Sequence, residues 1–395
     1  MLMRSRRWVT VLAVASLAIC AGCSSGSSSG GGGTGDLLVA TQGDMSVSSF
    51  QVDLGNGKLS AQGTSVTTGM NSVPSAMVIT PDGNTLFVAN KGSNDIARFM
   101  INSDGTVTAV TPNQPATTSP MVMAVDPTSV AVDSGGKFLF VANQGSDNIS
   151  IFSISGTTLT EVAGSPFPTD PDPAGIAVAP SNNFLYVSNS INGTVSAYTF
   201  DSTTGALTAI PGSPYTTTGL LAPGITPTGL AIAAATSGNA SGTFLYVANS
   251  GSSNVSAFVI CTTVTTSCPA ADGSLTQVAG SPFSAQPGPV AIAVAPAGAF
   301  LYVADKQANQ VSSYKIAAAT GVLSVTSPAN ISTGLQPVSI AMPSTGEFVY
   351  VTNIGSASIS AYSIVKDTNG NPTGALKLAD KPVITANQPA AVALK

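Results

Sequence analysis

The sequence predicts an all-β protein, a seven-bladed β-propeller with four-stranded blades, and three observations carry that prediction. First, one phrase recurs seven times: an apolar pair, Val, a small residue and usually Asn or Asp, then a polar turn and a second short apolar strand. Its copies centre on Val39, Val88, Val141, Val187, Val247, Val303 and Val351, so the spacings are 49, 53, 46, 60, 56 and 48 residues. Strand-built repeats of about 50 residues are a propeller signature. Second, a Pro-led phrase also occurs seven times: Pro74 to Ile79, Pro127 to Val132, Pro173 to Val178, Pro227 to Ile232, Pro289 to Val294, Pro337 to Met342 and Pro389 to Leu394. Third, the two sets are offset. The first Val phrase has no Pro phrase before it, and the last Pro phrase has no Val phrase after it. A ring closed by the C-terminal strand pairing beside the N-terminal one completes the seventh blade and leaves no open edge. A string of separate β-sandwiches is the alternative, and it leaves the offset unexplained.

Each blade then reads as four strands in order. Strand one is the Pro phrase, whose small residues, as in Ile176-Ala177-Val178, suit a crowded axis. Strand two is the Val phrase. Its unbroken apolar run, as in Phe184-Leu185-Tyr186-Val187, predicts cover on both faces. Strand three alternates more, as in Val255 to Ile260, and strand four is short, as in Leu275 to Val278. Turn signals such as Pro81-Asp82-Gly83-Asn84 and Ser134-Gly135-Gly136-Lys137 separate them. The propeller is expected over residues 37–395.

The first 36 residues read differently. Basic residues in Met1 to Arg7 precede an apolar stretch, Trp8 to Ile19, too short to span a bilayer comfortably. Cys20-Ala21-Gly22-Cys23 follows and resembles the lipobox of bacterial lipoproteins, although Cys20 stands where Leu is usual. The resemblance implies a signal peptide over 1–22, lipidation of Cys23 and a Ser/Gly-rich tether over 23–36. The protein would then be exported and membrane-anchored in a bacterial cell envelope. Ordinary secretion after small-residue cleavage is the alternative.

Charged residues make up 8% of the chain, against about 25% in typical soluble domains. Without the leader's Arg4, Arg6 and Arg7, ten basic residues face 18 acidic ones, a net charge of −8. That balance excludes a nucleic-acid partner. Cys261 and Cys268 lie in one hairpin and, in an oxidising compartment, form a disulfide or, alternatively, two buried thiols. With no His in the chain, two Cys are too few for a metal site, and no metal or cofactor is expected. Asp170-Pro171-Asp172-Pro173 offers oxygens for Ca²⁺ without a ligand loop to go with them. The sequons at Asn148, Asn192, Asn254 and Asn330 read better as polar strand starts.

The Leu-Tyr-Val-Ala-Asn phrases, the Pro phrases and the Gly-Ser-Pro-Phe connectors (Gly164 to Phe167, Gly212 to Tyr215, Gly280 to Phe283) resemble the YVTN-repeat and lactonase-type seven-bladed propellers. The resemblance covers nearly the whole mature chain. It implies the fold, and it implies enzymes that hydrolyse 6-phosphogluconolactone or cyclise muconates. Against carrying those activities over stand the absence of His, a single Arg outside the leader, Arg98, and only two Glu, Glu161 and Glu347. Lactone hydrolysis needs a base and oxyanion donors, and a phosphorylated substrate favours clustered cations.

Six strand-two phrases end in Asn90, Asn143, Asn189, Asn249, Asp305 and Asn353, positions expected around the mouth of the channel. Lys91 and Lys306 follow directly. A water activated by Asp305, with Lys306 holding an oxyanion, is one reading of this ring. Side-chain caps on the turn into strand three, with solvated lysines, is the stronger one. The sequence therefore favours a binding or interaction scaffold in the envelope, a monomer whose protein or small-molecule ligand sits on the face with the strand-two ends and the Gly-Ser-Pro-Phe connectors. A lactone hydrolase is the alternative, and it requires an acid and at least two cations converging in a concave site. A purely structural surface protein is the third reading.

Overall fold

A computed structural model describes residues 33–116, 124–180, 183–217, 225–234, 242–266 and 268–395. These form seven antiparallel sheets arranged as a closed ring. Blade one takes strand one from the C-terminus, Pro389–Leu394, and its other three from the N-terminus: Thr34–Thr41, Ser46–Asp53 and Leu59–Thr67. Leu37 pairs with Leu394 and Ala40 with Ala391, so the ends close the ring as the repeat offset requires. The first strand begins at Thr34, taking in residues that composition assigns to the tether. The lipobox and Cys23 lie outside the described residues.

Blades two to seven begin at Pro74, Pro127, Pro173, Pro227, Pro289 and Pro337, and all run from the axis outward in sequence order. Strand two is buried on both faces in blades two, three, six and seven, Thr85–Asn90 for example. Strand three is covered nearly as well, as Thr194–Phe200 shows, rather than alternating. The reason is the stacking of blades: each apolar cluster fills the space between two neighbours. Phe140, Ile151, Ile176, Val187 and Phe200 form one such cluster across blades three and four. The cluster of Leu37, Val39, Val392, Phe348 and Tyr350 spans blades one and seven, and it exists only because the ring is closed. Fully burying such side chains stabilises by roughly 1.5–3 kcal/mol each.

Polar contacts repeat between blades as well. Tyr186 of blade four donates its hydroxyl to Gly273 O of blade five at 2.7 Å, Tyr246 to Gly321 O at 2.9 Å, and Tyr350 of blade seven to Gly57 O of blade one at 3.2 Å. These glycines turn the hairpin between strands three and four at φ of +78°, +73° and +78°. They also lie against a ring at the start of the previous blade's strand two: a Cβ on Gly273 would fall on Phe184, on Gly321 on Phe244, and on Gly57 on Phe348. Strand-three tyrosines reach the other way, Tyr198 to Pro168 O, Tyr314 to Ser284 O and Tyr362 to Ser332 O. At the axis, Gly175 and Gly229 lie where a Cβ would meet the carbonyls of Thr228 and Val290 in the next blade, which is why strand one is built from small residues.

In blades three, four and five the outermost strand is split in two, with both pieces pairing strand three. The Gly-Ser-Pro-Phe/Tyr connectors make the split. Each Ser hydroxyl accepts the strand-three N–H left without a partner: Ile151 to Ser165, Ala197 to Ser213 and Ala257 to Ser281, at 3.0, 2.9 and 2.9 Å. Proline lacks an N–H, so it is tolerated only at such an edge. Cys261 and Cys268 are joined in a disulfide beside strand three of blade five.

The tyrosine ladder yields an internal control, because the Tyr302 hydroxyl is buried with no hydrogen-bond partner. Replacing Tyr186, Tyr246 or Tyr350 by Phe is expected to cost about 1–1.5 kcal/mol each. Tyr302→Phe is expected to be neutral or slightly stabilising. Urea unfolding with unchanged slope measures this, and equal costs at all four positions would refute the assignment.

Candidate functional site

The strand-two ends do not face the mouth. Asn90, Asn143, Asn189, Asn249, Asp305 and Asn353 are all completely buried, as is Thr41 at the same place in blade one. Their side chains bond across the hairpin to strand three. Asn143 Nδ2 donates to Asn148 Oδ1 and Ser150 Oγ at 2.8 and 2.9 Å. Asn249 does so to Asn254 Oδ1 and Ser256 Oγ, both at 2.7 Å, and Asn353 to Ser360 Oγ at 3.0 Å. Asn189 meets the hydroxyls of Thr194 and Ser196 at 3.1 and 2.9 Å. Asn90 donates to Asp95 Oδ1 at 2.6 Å. These residues hold the floor beneath the mouth, and the sequons at Asn148 and Asn254 are spent on the same network.

Asp305 breaks the pattern. An amide donates, whereas a carboxylate only accepts, and Asp305 Oδ2 accepts from Ser312 Oγ at 2.6 Å. Its Oδ1 is buried without a partner. Burial pushes this carboxyl up to about 7, against the lowering effect of the Ser312 hydrogen bonds. With no exposed surface it cannot hand a proton to a water at the mouth.

The mouth begins one residue later. After strand two, the N–H of Gln42, Lys91, Gln144, Ser190, Ser250, Lys306 and Ile354 bonds to the carbonyl of the residue preceding strand one: Gln388, Val73, Asp126, Asp172, Thr226, Gly288 and Gln336 respectively. Those seven acceptors all have positive φ, between 44° and 71°, and six are not glycine. Left-handed backbone at non-glycine residues costs on the order of 1–3 kcal/mol and gathers at functional sites. Here it is held by the neighbouring blade: Asn94 Oδ1 accepts Asp126 N–H, Asp147 Oδ1 accepts Asp172 N–H and Asn309 Oδ1 accepts Gln336 N–H.

Blades two to four bring charge together on this ring. Lys91 Nζ donates to Gln144 Oε1 at 2.8 Å and lies 3.8 Å from Asp126 Oδ2. The Lys91 and Asp126 side chains keep 29% and 39% of their surface exposed, so both face solvent. Asp172 completes the group. Burial raises its carboxyl above the ordinary range, opposed by the Lys91 charge and a hydrogen bond from Gln144. Ser190 donates to Pro227 O at 2.8 Å and closes the blade-four side. The arrangement places a carboxylate of raised basicity, an ammonium and an amide together on one rim, a set of groups that suits activation of a water beside a carbonyl.

Of the residues that the sequence singles out, Lys91, Lys306 and Asp172 lie on the mouth ring, and the sequence offers Asp172 only as an oxygen donor for Ca²⁺. Lys306 stands in blade six, away from the Lys91 group, and is half-buried with its ammonium pKa lowered by burial. One cation and two acids therefore converge, with a second cation elsewhere on the ring. Asp126 and Asp172 were legible as the residues immediately before Pro127 and Pro173. Asp170 turns away from Asp172 and accepts from Thr194 Oγ1 at 2.6 Å and Asn192 Nδ2 at 3.1 Å, so the two carboxylates share no common ligand position.

The Gly-Ser-Pro-Phe connectors correct another expectation. They sit on the outer edge of the blades, not around the mouth, because the proline needs an edge strand. Two of them line a groove of about 350 Å³ between blades three and four, with Phe167, Pro168, Tyr198, Leu207, Ser213 and Pro214 among its walls. Arg98 is also peripheral: its guanidinium binds Thr157 O at 3.0 Å and Pro112 O at 2.5 Å.

Comparison with known proteins gives the family. Over 78 residues the chain is 37% identical to a 6-phosphogluconolactonase of Enterobacter sp. (strain 638), which is 20% of this chain and 22% of that protein. It thus spans only about a fifth of that relative. Two solved structures share the fold across 92% of this chain. A putative 6-phosphogluconolactonase from Bacteroides fragilis superimposes with TM-score 0.73 at 18% identity, covering 98% of that chain. The periplasmic gluconolactonase of Pseudomonas aeruginosa superimposes with TM-score 0.71 at 20% identity, covering 99%. The family described as lactonase, seven-bladed β-propeller, matches residues 39–162, 158–265 and 237–394. These matches are to lactonase-type proteins and not to the binding scaffold expected from composition, and the chain belongs to the lactonase family of seven-bladed β-propellers.

Proposed function

We propose that this protein hydrolyses a lactone at the channel mouth, with Asp172, Lys91 and Gln144 as the working residues. The observation that carries the reading is the Lys91–Gln144–Asp126–Asp172 group, charges gathered on one rim of a chain otherwise poor in charge. Asp172 takes a proton from water as its oxygen attacks the lactone carbonyl. The carbonyl electrons move to oxygen, and Lys91 stabilises the resulting oxyanion. Collapse breaks the acyl–oxygen bond of the ring, the proton on Asp172 passes to the departing alkoxide, and a hydroxy acid leaves. Asp126 holds the Lys91 ammonium in place.

We also propose export and anchoring through Cys23. The leader, the disulfide and the similarity to a periplasmic protein support it. In the first strand, Thr41 is the end nearest the mouth and pairs with Ser46 across the turn. Thr34, paired with Asp53, is the far end and lies toward the opposite face.

Two substitutions separate the two notable acids. Asp172→Asn is expected to lower kcat about 10²–10⁴-fold and to abolish the acid limb of the rate profile, a limb displaced above the ordinary carboxylate range because burial raises Asp172. Asp305→Asn is expected to leave turnover intact. Its effect is on stability. The folded pKa lies above the unfolded one, so between about 4 and 7 the native state binds more protons and stability falls as pH rises. Asp305→Asn should flatten that slope and stabilise the protein at pH 8 by on the order of 2–4 kcal/mol. Loss of turnover in Asp305→Asn with retention in Asp172→Asn would overturn the assignment.

A further inference from the structure

The seven-fold repeat places Lys91 and Lys306 at the same position of blades two and six, and what surrounds them differs. Ahead of Lys91 the ring carries Gln144 and Asp126 in the next blade and Asp172 in the one after. The matching positions ahead of Lys306 are Ile354, Gln336 and Gln388. Every acid of the first group is replaced by an uncharged residue in the second. Lys91 is therefore neutralised within the protein, at 3.8 Å from Asp126, while among the described residues Lys306 has no ion pair. The only guanidinium among them, Arg98, is committed to two backbone carbonyls at the edge.

Resting on the hydrolase reading above, we propose that the mouth takes an unphosphorylated, uncharged lactone, a polyhydroxylated ring recognised by amides and hydroxyls. A phosphate monoester carries close to two negative charges at neutral pH and is best held by several cations or a bidentate guanidinium. This rim offers one free ammonium against Asp126 and Asp172. A sugar ring without phosphate instead needs groups that both donate and accept. Ser250, Gln336 and Gln388, none of them buried, supply these around the ring.

The test compares kcat/KM for glucono-δ-lactone and its 6-phosphate with the full-length protein, each corrected for spontaneous hydrolysis. The neutral lactone should be favoured at least tenfold, with little dependence on salt between 50 and 500 mM (roughly the range over which exposed charge interactions are screened). In Gln336→Arg, which adds a guanidinium beside the position of Lys306, the ratio should move toward the phosphorylated lactone. Preference of the unaltered protein for the 6-phosphate would overturn this inference and leave the hydrolase reading standing. Turnover of neither lactone above the spontaneous rate would overturn both.

Discussion

The pairing of Pro389–Leu394 beside Thr34–Thr41 is the constraint on which the rest of the molecule depends. Blade stability here is shared between neighbours. Each apolar cluster takes side chains from two blades, so no blade owns its core. With the C-terminal strand absent, blade one would lose its strand at the axis, and the core between blades seven and one would open. The blade-to-blade contacts point the same way. Tyr350 of blade seven reaches Gly57 of blade one with the same geometry that Tyr186 uses between blades four and five. The closing joint thus carries the same contact as the joints between blades four and five and between five and six, and two sequence-distant ends complete it.

Closure also creates the site. Seven backbone hydrogen bonds join the residue after strand two to the residue before strand one, and they set fourteen positions around the mouth. The buried amides beneath are bonded to strand three and give the rim a fixed floor. Function then becomes a matter of which residues occupy equivalent places. Asp126 and Asp172 fall where other blades carry Val73, Thr226, Gly288, Gln336 and Gln388. Asp305 shows the opposite case: a carboxylate put where amides belong, buried and half satisfied. Its raised pKa marks a destabilising substitution in the floor, and a perturbed pKa alone does not identify a reactive group.

The fold was legible because period, strand pattern and the offset of the two phrases all come from local residues repeated seven times. Strand boundaries such as Pro74–Ile79 and Thr85–Asn90 follow directly from them. The site was less legible, for a physical reason. Residues that recur in every blade, such as Asn at the end of strand two, build the blade. The residues proposed for the chemistry are ones that differ between blades, and Asp126, Asp172 and Gln144 recur in no pattern. The Gly-Ser-Pro-Phe connectors misled in the same way: their repetition reflects an edge-strand device, with Ser165, Ser213 and Ser281 replacing lost backbone acceptors. Low charge and the absence of His suggested a scaffold, yet a carboxyl raised by burial and a nearby ammonium are the groups on which the proposed hydrolysis draws.

The reactive groups are assigned to the mouth ring rather than elsewhere on the propeller. A crystal structure with the hydroxy-acid product bound tests that placement most directly. Product density is expected at the mouth, in contact with Lys91, Gln144 and Asp172. Density confined to the groove between blades three and four, against Phe167 and Tyr198, would contradict it.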